Sequence, residues 1–305
     1  MHLTLRTPLL IQQVSLRAIL YMILSAFCFS VVELVGAYYL KDILLYQLVW
    51  GRYAVHLLFM LAVLGPRYKT TLVKTKNLKL QIVRSLTMFA MPISFIIAAM
   101  HMPAHDVWAV YWLSPLMMLG LSTLVLHESV GSTRWIAALM GFGGTLLIYR
   151  PDAGIFSLAV LPALVVGLAI SLHLMFSRIL RYDHPLSSLF HTGLWVFVVI
   201  TFLMPFVWNI PSLSDLLAIL IVGLVGMVTL LALARSGELA PLSVVASFSY
   251  TEAVWTLLLG TLLFRAMPTR SMILGALIII GITVFLFFHE KKQPPLNHEE
   301  TQIHV

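Results

Sequence analysis

The chain has 305 residues, of which 60% are hydrophobic and only 10% charged, with a formal net charge of +7 and a single cysteine. A soluble domain carries about a quarter charged residues, so most of this surface must face lipid rather than water. The basic residues sit in short connections between apolar runs, which argues against a nucleic-acid surface, and the lone Cys28 excludes an intramolecular disulfide framework.

A membrane-spanning helix needs about 20 mostly apolar residues. Ten segments qualify, near 17–38, 46–64, 80–100, 104–126, 132–149, 156–178, 186–208, 214–236, 241–264 and 269–289. Turn and helix-stop signals separate them: Lys41-Asp42, Gly65-Pro66, Met102-Pro103, Gly131-Ser132, Arg150-Pro151-Asp152, His184-Pro185, Asn209-Ile210-Pro211, Gly237-Glu238 and Met267-Pro268. The first run follows a long polar stretch and has no small-residue cleavage site after it, so it reads as a retained helix. The expectation is an all-α polytopic membrane protein. It has a cytoplasmic N-terminal segment at 1–16 and a polar, disordered cytoplasmic tail at 290–305.

One stretch occurs twice. The segment from His101 to Tyr149 returns from Leu239 to Phe288 at constant offset: Pro103 meets Pro241, Val107 meets Val245, Leu119 meets Leu257, Thr123 meets Thr261, and Gly143 meets Gly281. The register holds without a gap across two apolar segments and the polar hinge between them, which reads as an internal duplication of five-helix units at 17–150 and 151–289. Lys and Arg fall mainly in connections on one side: Arg67, Lys69, Lys74, Lys76, Lys79, Arg134, Arg178, Arg181, Arg235, Lys291 and Lys292, with Arg6 and Arg17 before the first span. Only Lys41, Arg150, Arg265 and Arg270 fall on the other, so both termini are expected in the cytoplasm. Five spans per copy is an odd number, so the second copy starts on the opposite side. Inverted repeats of this kind are a common plan of secondary transporters, whose substrate sites lie near the midplane between the halves.

With these residues in view the chain resembles the drug/metabolite transporter superfamily with paired EamA-type domains. In the first half the likeness rests on Gly51-Arg52, Arg84-Ser85, Met102-Pro103-Ala104, Leu113-Ser114-Pro115, His127-Glu128 and Gly141 to Gly144. In the second it rests on Leu239-Ala240-Pro241, Tyr250, Glu252, Gly260 and Gly275 to Gly281. Two departures stand out: Phe264-Arg265-Ala266 replaces a frequent Gly-Glu ending, and Ala253 follows Glu252 where proline is common. The resemblance implies a ten-helix carrier of small organic solutes, similar to bacterial vitamin and metabolite carriers.

Candidate substrate-binding residues are Glu33, Arg52, Tyr111, Trp112, Tyr250, Glu252 and Trp255. A carboxylate within hydrocarbon is costly, so Glu33 and Glu252 either face a cavity or are protonated and bonded to a neighbouring helix through Ser or Thr. Arg52 pairs with Glu33, holds a substrate carboxylate bidentately, or snorkels to the outer interface. Tyr111, Trp112, Tyr250 and Trp255 lie deep enough to line a pocket for a planar or cationic solute, whereas Trp108 suits an interface anchor. His56, His173 and His191 read as helix-to-helix hydrogen-bonding residues ahead of proton relays. The glycines Gly141, Gly143, Gly144, Gly275 and Gly281 read as close-packing positions.

The rival readings are an intramembrane enzyme and a non-transporting receptor or scaffold. His127-Glu128-Ser129-Val130-Gly131 starts like a zinc-protease HExxH but lacks the second histidine, no phosphate loop or Gly-x-Ser-x-Gly elbow appears, and no cofactor or metal is expected. The expected partners are a small organic solute and the lipid bilayer, with a homodimer contact available to spans five and ten.

Overall fold

In the computed structural model the structure describes residues 7–39, 45–152, 158, 160–265 and 267–292, with the side chains of the first helix described from Leu16. The expectations for residues 1–6, the Lys41-Asp42 turn, Ala266 and the tail beyond 292 lie outside the described residues. Among the described residues the secondary structure is helical and contains no strand. With no water in the hydrocarbon to satisfy free N–H and C=O groups, runs this apolar must close their hydrogen bonds within each segment.

The helical segments in chain order are α1 (Thr7–Tyr39), α2 (Leu45–Leu72), α3 (Leu78–Ala99), α4 (Ala104–Leu124), α5 (Ser132–Tyr149), α6 (Val160–Ile179), α7 (Pro185–Thr201), α8 (Leu213–Leu239), α9 (Leu242–Phe264) and α10 (Arg270–Lys292). Eight are long and apolar enough to cross a membrane, while α5 and α7 fall short of that measure, so the protein is an all-α polytopic membrane protein. Large apolar side chains such as Leu58, Leu262 and Leu277 point outward along the bundle, as lipid contact requires. Local signals set the helix ends. Asn77 caps α3 by accepting from Leu80 N at 3.1 Å, and Ser212 with Asp215 forms a capping box on α8.

Helices α4 and α9 are both interrupted, α4 at a proline. Pro115 has no N–H to offer the Tyr111 carbonyl, and α4 opens into a turn at Trp112 and Leu113. Gly167 of α6 comes close at that point: a Cβ there would lie 3.1 Å from the freed Tyr111 carbonyl oxygen. In α9 a tighter 3-10 stretch, Ala246–Tyr250, joins Leu242–Val245 to Thr251–Phe264. The offset that carries Pro103 to Pro241 also carries the α4 break at Trp112 to Tyr250. It carries His127, at φ 53°, to Arg265, at φ 52°, so both segments end on a left-handed non-glycine residue.

The principal packing contacts come in matched sets. Helix α1 packs on α8 and α9, as α6 packs on α3 and α4; α2 packs on α8, as α7 packs on α3. Helices α5 and α10 pack on each other, as do α2 and α7. Glycines allow the closest of these approaches. A Cβ on Gly275 of α10 would lie 2.4 Å from the Gly144 carbonyl oxygen of α5, and one on Gly51 would lie 2.6 Å from Ile219 of α8. The glycine expectation divides here: Gly141, Gly144 and Gly275 make close contacts, whereas Gly143 and Gly281 face open space.

One end of the bundle is tied by charge. Glu128, after α4, accepts from Leu242 N at 3.2 Å and Ser243 N at 3.1 Å at the start of α9, and also from the Ser122 hydroxyl. Arg178 of α6 stands 3.7 Å from the same carboxylate and donates to the Glu238 carbonyl of α8 at 3.1 Å. Arg134 of α5 holds Glu290 of α10 with two bonds, at 2.8 and 3.0 Å, and reaches Ser243 Oγ at 3.2 Å. The carboxylate of the broken HExxH motif is thus a cap for a helix N-terminus, where backbone N–H groups and the helix dipole both favour an anion.

Candidate functional site

A narrow cavity lies between the halves, walled by α1, α2, α3, α4, α6, α8 and α9. Its volume is only about 30 Å3, room for one or two water molecules. Ligand pockets run to several hundred Å3, so a bound organic solute requires the walls to part. Met22, Met88, Met118 and Leu230 give the walls an apolar, adaptable surface. The polar groups on them are Ser25, Arg52, Tyr111, Thr229, Ser249 and Glu252.

Glu252 is 5% exposed and stands two residues into Thr251–Phe264, directly after the 3-10 stretch. Its side chain lies close to that of Tyr111 of α4, and its Oε1 is buried without a hydrogen-bond partner. Its backbone carbonyl accepts from Ser30 of α1 at 3.0 Å, which pins this turn of α9 to the first helix. Ser25, one turn earlier on α1, donates to the Thr229 carbonyl of α8 at 3.1 Å on the same wall.

Arg52 enters the cavity from α2. Its Nε is buried and unpartnered, and no ion pair among the described residues includes Arg52, Glu33 or Glu252. The guanidinium lies against Gly226 of α8, where a Cβ would stand 2.5 Å from Nε and 2.9 Å from Cζ. The glycine clears the space the guanidinium occupies. Of the three sequence expectations for Arg52, pairing with Glu33 is not what the described residues do.

The remaining candidates divide. Glu33 is absent from the cavity wall; its Oε2 accepts from Thr256 of α9 at 3.0 Å, a helix-to-helix bond of the kind weighed for a bland role. Trp112 and Tyr250, each 1% exposed, pack on each other at 5.9 Å behind the cavity, with Tyr149 at 6.1 Å on the far side of Trp112. Gly141 of α5 backs Tyr250: a Cβ there would lie 2.5 Å from the ring. Both rings carry polar atoms without partners, Trp112 Nε1 and Tyr250 Oη. Trp255 packs edge-on against Phe27 at 5.2 Å. Of the four aromatic candidates only Tyr111 lines the cavity itself.

Sequence reasoning passed over Arg84 as a polar centre. Only 1% exposed, it donates to Ser177 Oγ at 2.9 Å, Gln81 Oε1 at 3.1 Å and the Ser188 carbonyl at 3.2 Å, and approaches His173 Nε2 at 3.4 Å. His173 Nδ1 lies 3.1 Å from the Arg84 carbonyl, so a proton on Nδ1 leaves Nε2 free to accept from the guanidinium. This network fastens α3 to α6 and α7. Its signal was available: Gln81, Arg84 and Ser85 share a face of α3 at helical spacing, as do His173 and Ser177 on α6. Arg84 and the half-buried Arg52 differ in kind, since the guanidinium of Arg84 is served by the protein and Nε of Arg52 has no partner.

Comparison with known proteins matches residues 16–150 to the EamA-like transporter family. The S-adenosylmethionine uptake transporter of Rickettsia prowazekii (strain Madrid E) is 24% identical over 233 residues, covering 76% of this chain and 79% of that protein. The riboflavin transporter of Vibrio cholerae serotype O1 is 32% identical over 186 residues, covering 59% of this chain and 61% of that protein. The riboflavin transporter of Brucella anthropi is 25% identical over 247 residues, covering 77% of this chain and 85% of that protein. A crystal structure of a protein matches with a TM-score of 0.80 at 16% identity, over 90% of this chain and 98% of the other, a shared fold.

Proposed function

We propose that the chain, whose residues 16–150 match the EamA-like transporter family, is a secondary transporter of a small organic solute working by alternating access. The observation that carries this reading is the cavity: helices from both halves wall it, and Glu252 enters it with an unpartnered oxygen. A buried carboxylate left open in this way is a binding group awaiting a ligand or cation more readily than a structural one. The solute class is that of metabolites, vitamins or amino-acid-like compounds. S-adenosylmethionine and riboflavin, the solutes in the names of its relatives, are the first probes to try.

The architecture we propose is ten membrane spans in two inverted five-helix repeats. The equivalent packing, α1 on α8 and α9 as α6 is on α3 and α4, and α2 on α8 as α7 is on α3, supports it, as do the breaks in α4 and α9. Rocking of one repeat against the other would open the cavity to each side in turn. The basic end, carrying Arg67 to Lys79, Arg134, Arg178 and Arg235, faces the cytoplasm in this reading, with both termini, and the membrane is the cytoplasmic one. The ties from Glu128 and Arg134 then close the cytoplasmic side, and opening inward requires them to break.

Reconstitution tests the proposal. Proteoliposomes preloaded with unlabelled solute should accumulate labelled S-adenosylmethionine or riboflavin by counterflow, and protein-free vesicles should not. Binding of either probe without counterflow would make the chain a receptor and contradict the transport reading.

A further inference from the structure

Two ionisable side chains of opposite sign line one cavity, and neither is held in an ion pair among the described residues. Arg52 comes in from α2 and Glu252 from α9; both are on the wall, both have an unpartnered buried atom, and no ion pair among the described residues includes either. Unpaired charge within a membrane protein is costly, and evolution usually neutralises it or supplies hydrogen bonds. The bundle does this for Arg84, whose guanidinium meets Ser177, Gln81 and Ser188. For Arg52 it does the reverse and places Gly226 beneath the guanidinium, where any side chain would collide with it.

On the transport reading above, we infer that the solute is a zwitterion: its anionic group meets Arg52 and its cationic group meets Glu252. An uncharged solute would offer neither side chain an ionic partner. A simple cation would leave Arg52 open, and a simple anion would leave Glu252 open. The guanidinium fork suits a carboxylate in particular, since it offers two parallel N–H donors. Tyr111 lines the same cavity close to Glu252 and offers a hydroxyl beside the carboxyl that receives the cation. The rest of the wall mixes Met22, Met88, Met118 and Leu230 with Ser25, Thr229 and Ser249, an adaptable surface for the body joining the solute's charges.

The test uses matched probes in the counterflow assay: S-adenosylmethionine, phenylalanine and arginine, each beside its counterpart lacking the carboxylate, with riboflavin as the uncharged probe. The parent protein should exchange at least one of the zwitterions and should take its decarboxylated counterpart at least about tenfold less well. Arg52→Gln should weaken the zwitterion by a similar factor and leave the residual competition by the decarboxylated counterpart unchanged. Glu252→Gln should weaken both. Intact folding of the variants is read from a monodisperse detergent-solubilised peak and an unchanged melting temperature. Exchange of riboflavin undiminished in both variants, with no zwitterion exchanged, would overturn the inference and leave the transport reading standing. Exchange of none of the probes by the parent protein counts against the transport reading itself, on which the inference rests.

Discussion

Trp112 and Tyr250 are separated by the same offset that carries Pro103 to Pro241, and their rings meet at 5.9 Å with an interplanar tilt of 32°. Each sits at the interruption of its helix, Trp112 in the turn of α4 and Tyr250 at the end of the 3-10 stretch of α9. The contact joins the halves at the point where both backbones leave the α-helical path. It is a packed contact: both residues are 1% exposed.

That packing predicts two different outcomes at one contact. Trp112→Ala leaves a cavity and should cost about 3–5 kcal/mol. Tyr250→Phe removes only an unpartnered hydroxyl and should keep or raise the melting temperature. Thermal denaturation in detergent, followed by size-exclusion chromatography, measures both. A Trp112→Ala protein as stable as its parent would show that the rings do not hold the halves together.

The α5–α10 contact predicts a division among glycines that look alike in sequence. Gly275→Ala would place a Cβ 2.4 Å from the Gly144 carbonyl oxygen, a backbone atom that can move only with its helix. Gly281→Ala meets nothing within 4 Å. Melting should fall for Gly275→Ala and hold or rise for Gly281→Ala, since alanine gains up to about 1 kcal/mol over glycine inside a helix. Equal effects would place the helix contact elsewhere.

Gly226 separates stability from binding. A Cβ there would displace the Arg52 guanidinium, the free end of a flexible side chain, so the fold can absorb it. Gly226→Ala should therefore melt at or above the parent temperature. It should also lose the solute's charge-assisted bond, about 1.5–3 kcal/mol or roughly ten- to a hundredfold in affinity. Titration of whichever probe the parent protein exchanges measures the loss. Unchanged affinity would free Arg52 from any binding role.

Much of this was legible in the sequence because membrane constraints are severe. The apolar runs and their punctuation gave every helical segment, but not every end: α1 begins at Thr7 rather than 17, α2 runs to Leu72 rather than 64, and α7 stops at Thr201 rather than 208, and nothing in the runs announced the breaks in α4 and α9. The side-chain roles were less legible. Glu33 and Glu252 look alike as embedded carboxylates, and only the packing of α9 against α1 and α4 gives one to Thr256 and the other to the cavity. Trp112 and Tyr111 are neighbours in sequence, yet the break at Pro115 sends one ring into the interface between the halves and leaves the other on the cavity wall. Arg52 and Arg84 each look like an arginine embedded in a span, and hydrogen-bond accounting across three helices is what distinguishes them.

The orientation of the bundle has its own test. In a Cys28→Ser background, a cysteine at Thr70 should resist a membrane-impermeant maleimide in intact cells, and one at Ser212 should react. The reverse pattern would invert the bundle and put the Glu128 and Arg134 ties on the outer side.

The central claim is that one cavity between the halves serves both sides of the membrane, and a cysteine at Ser249, on its wall beside Glu252, tests it most directly. Placed in the Cys28→Ser background and reconstituted in one known orientation, it should react with impermeant maleimide added outside and, in separate vesicles, with reagent enclosed inside. Whichever probe the parent protein exchanges should slow both reactions. Reaction from one side alone, unchanged by that solute, would contradict alternating access through this cavity.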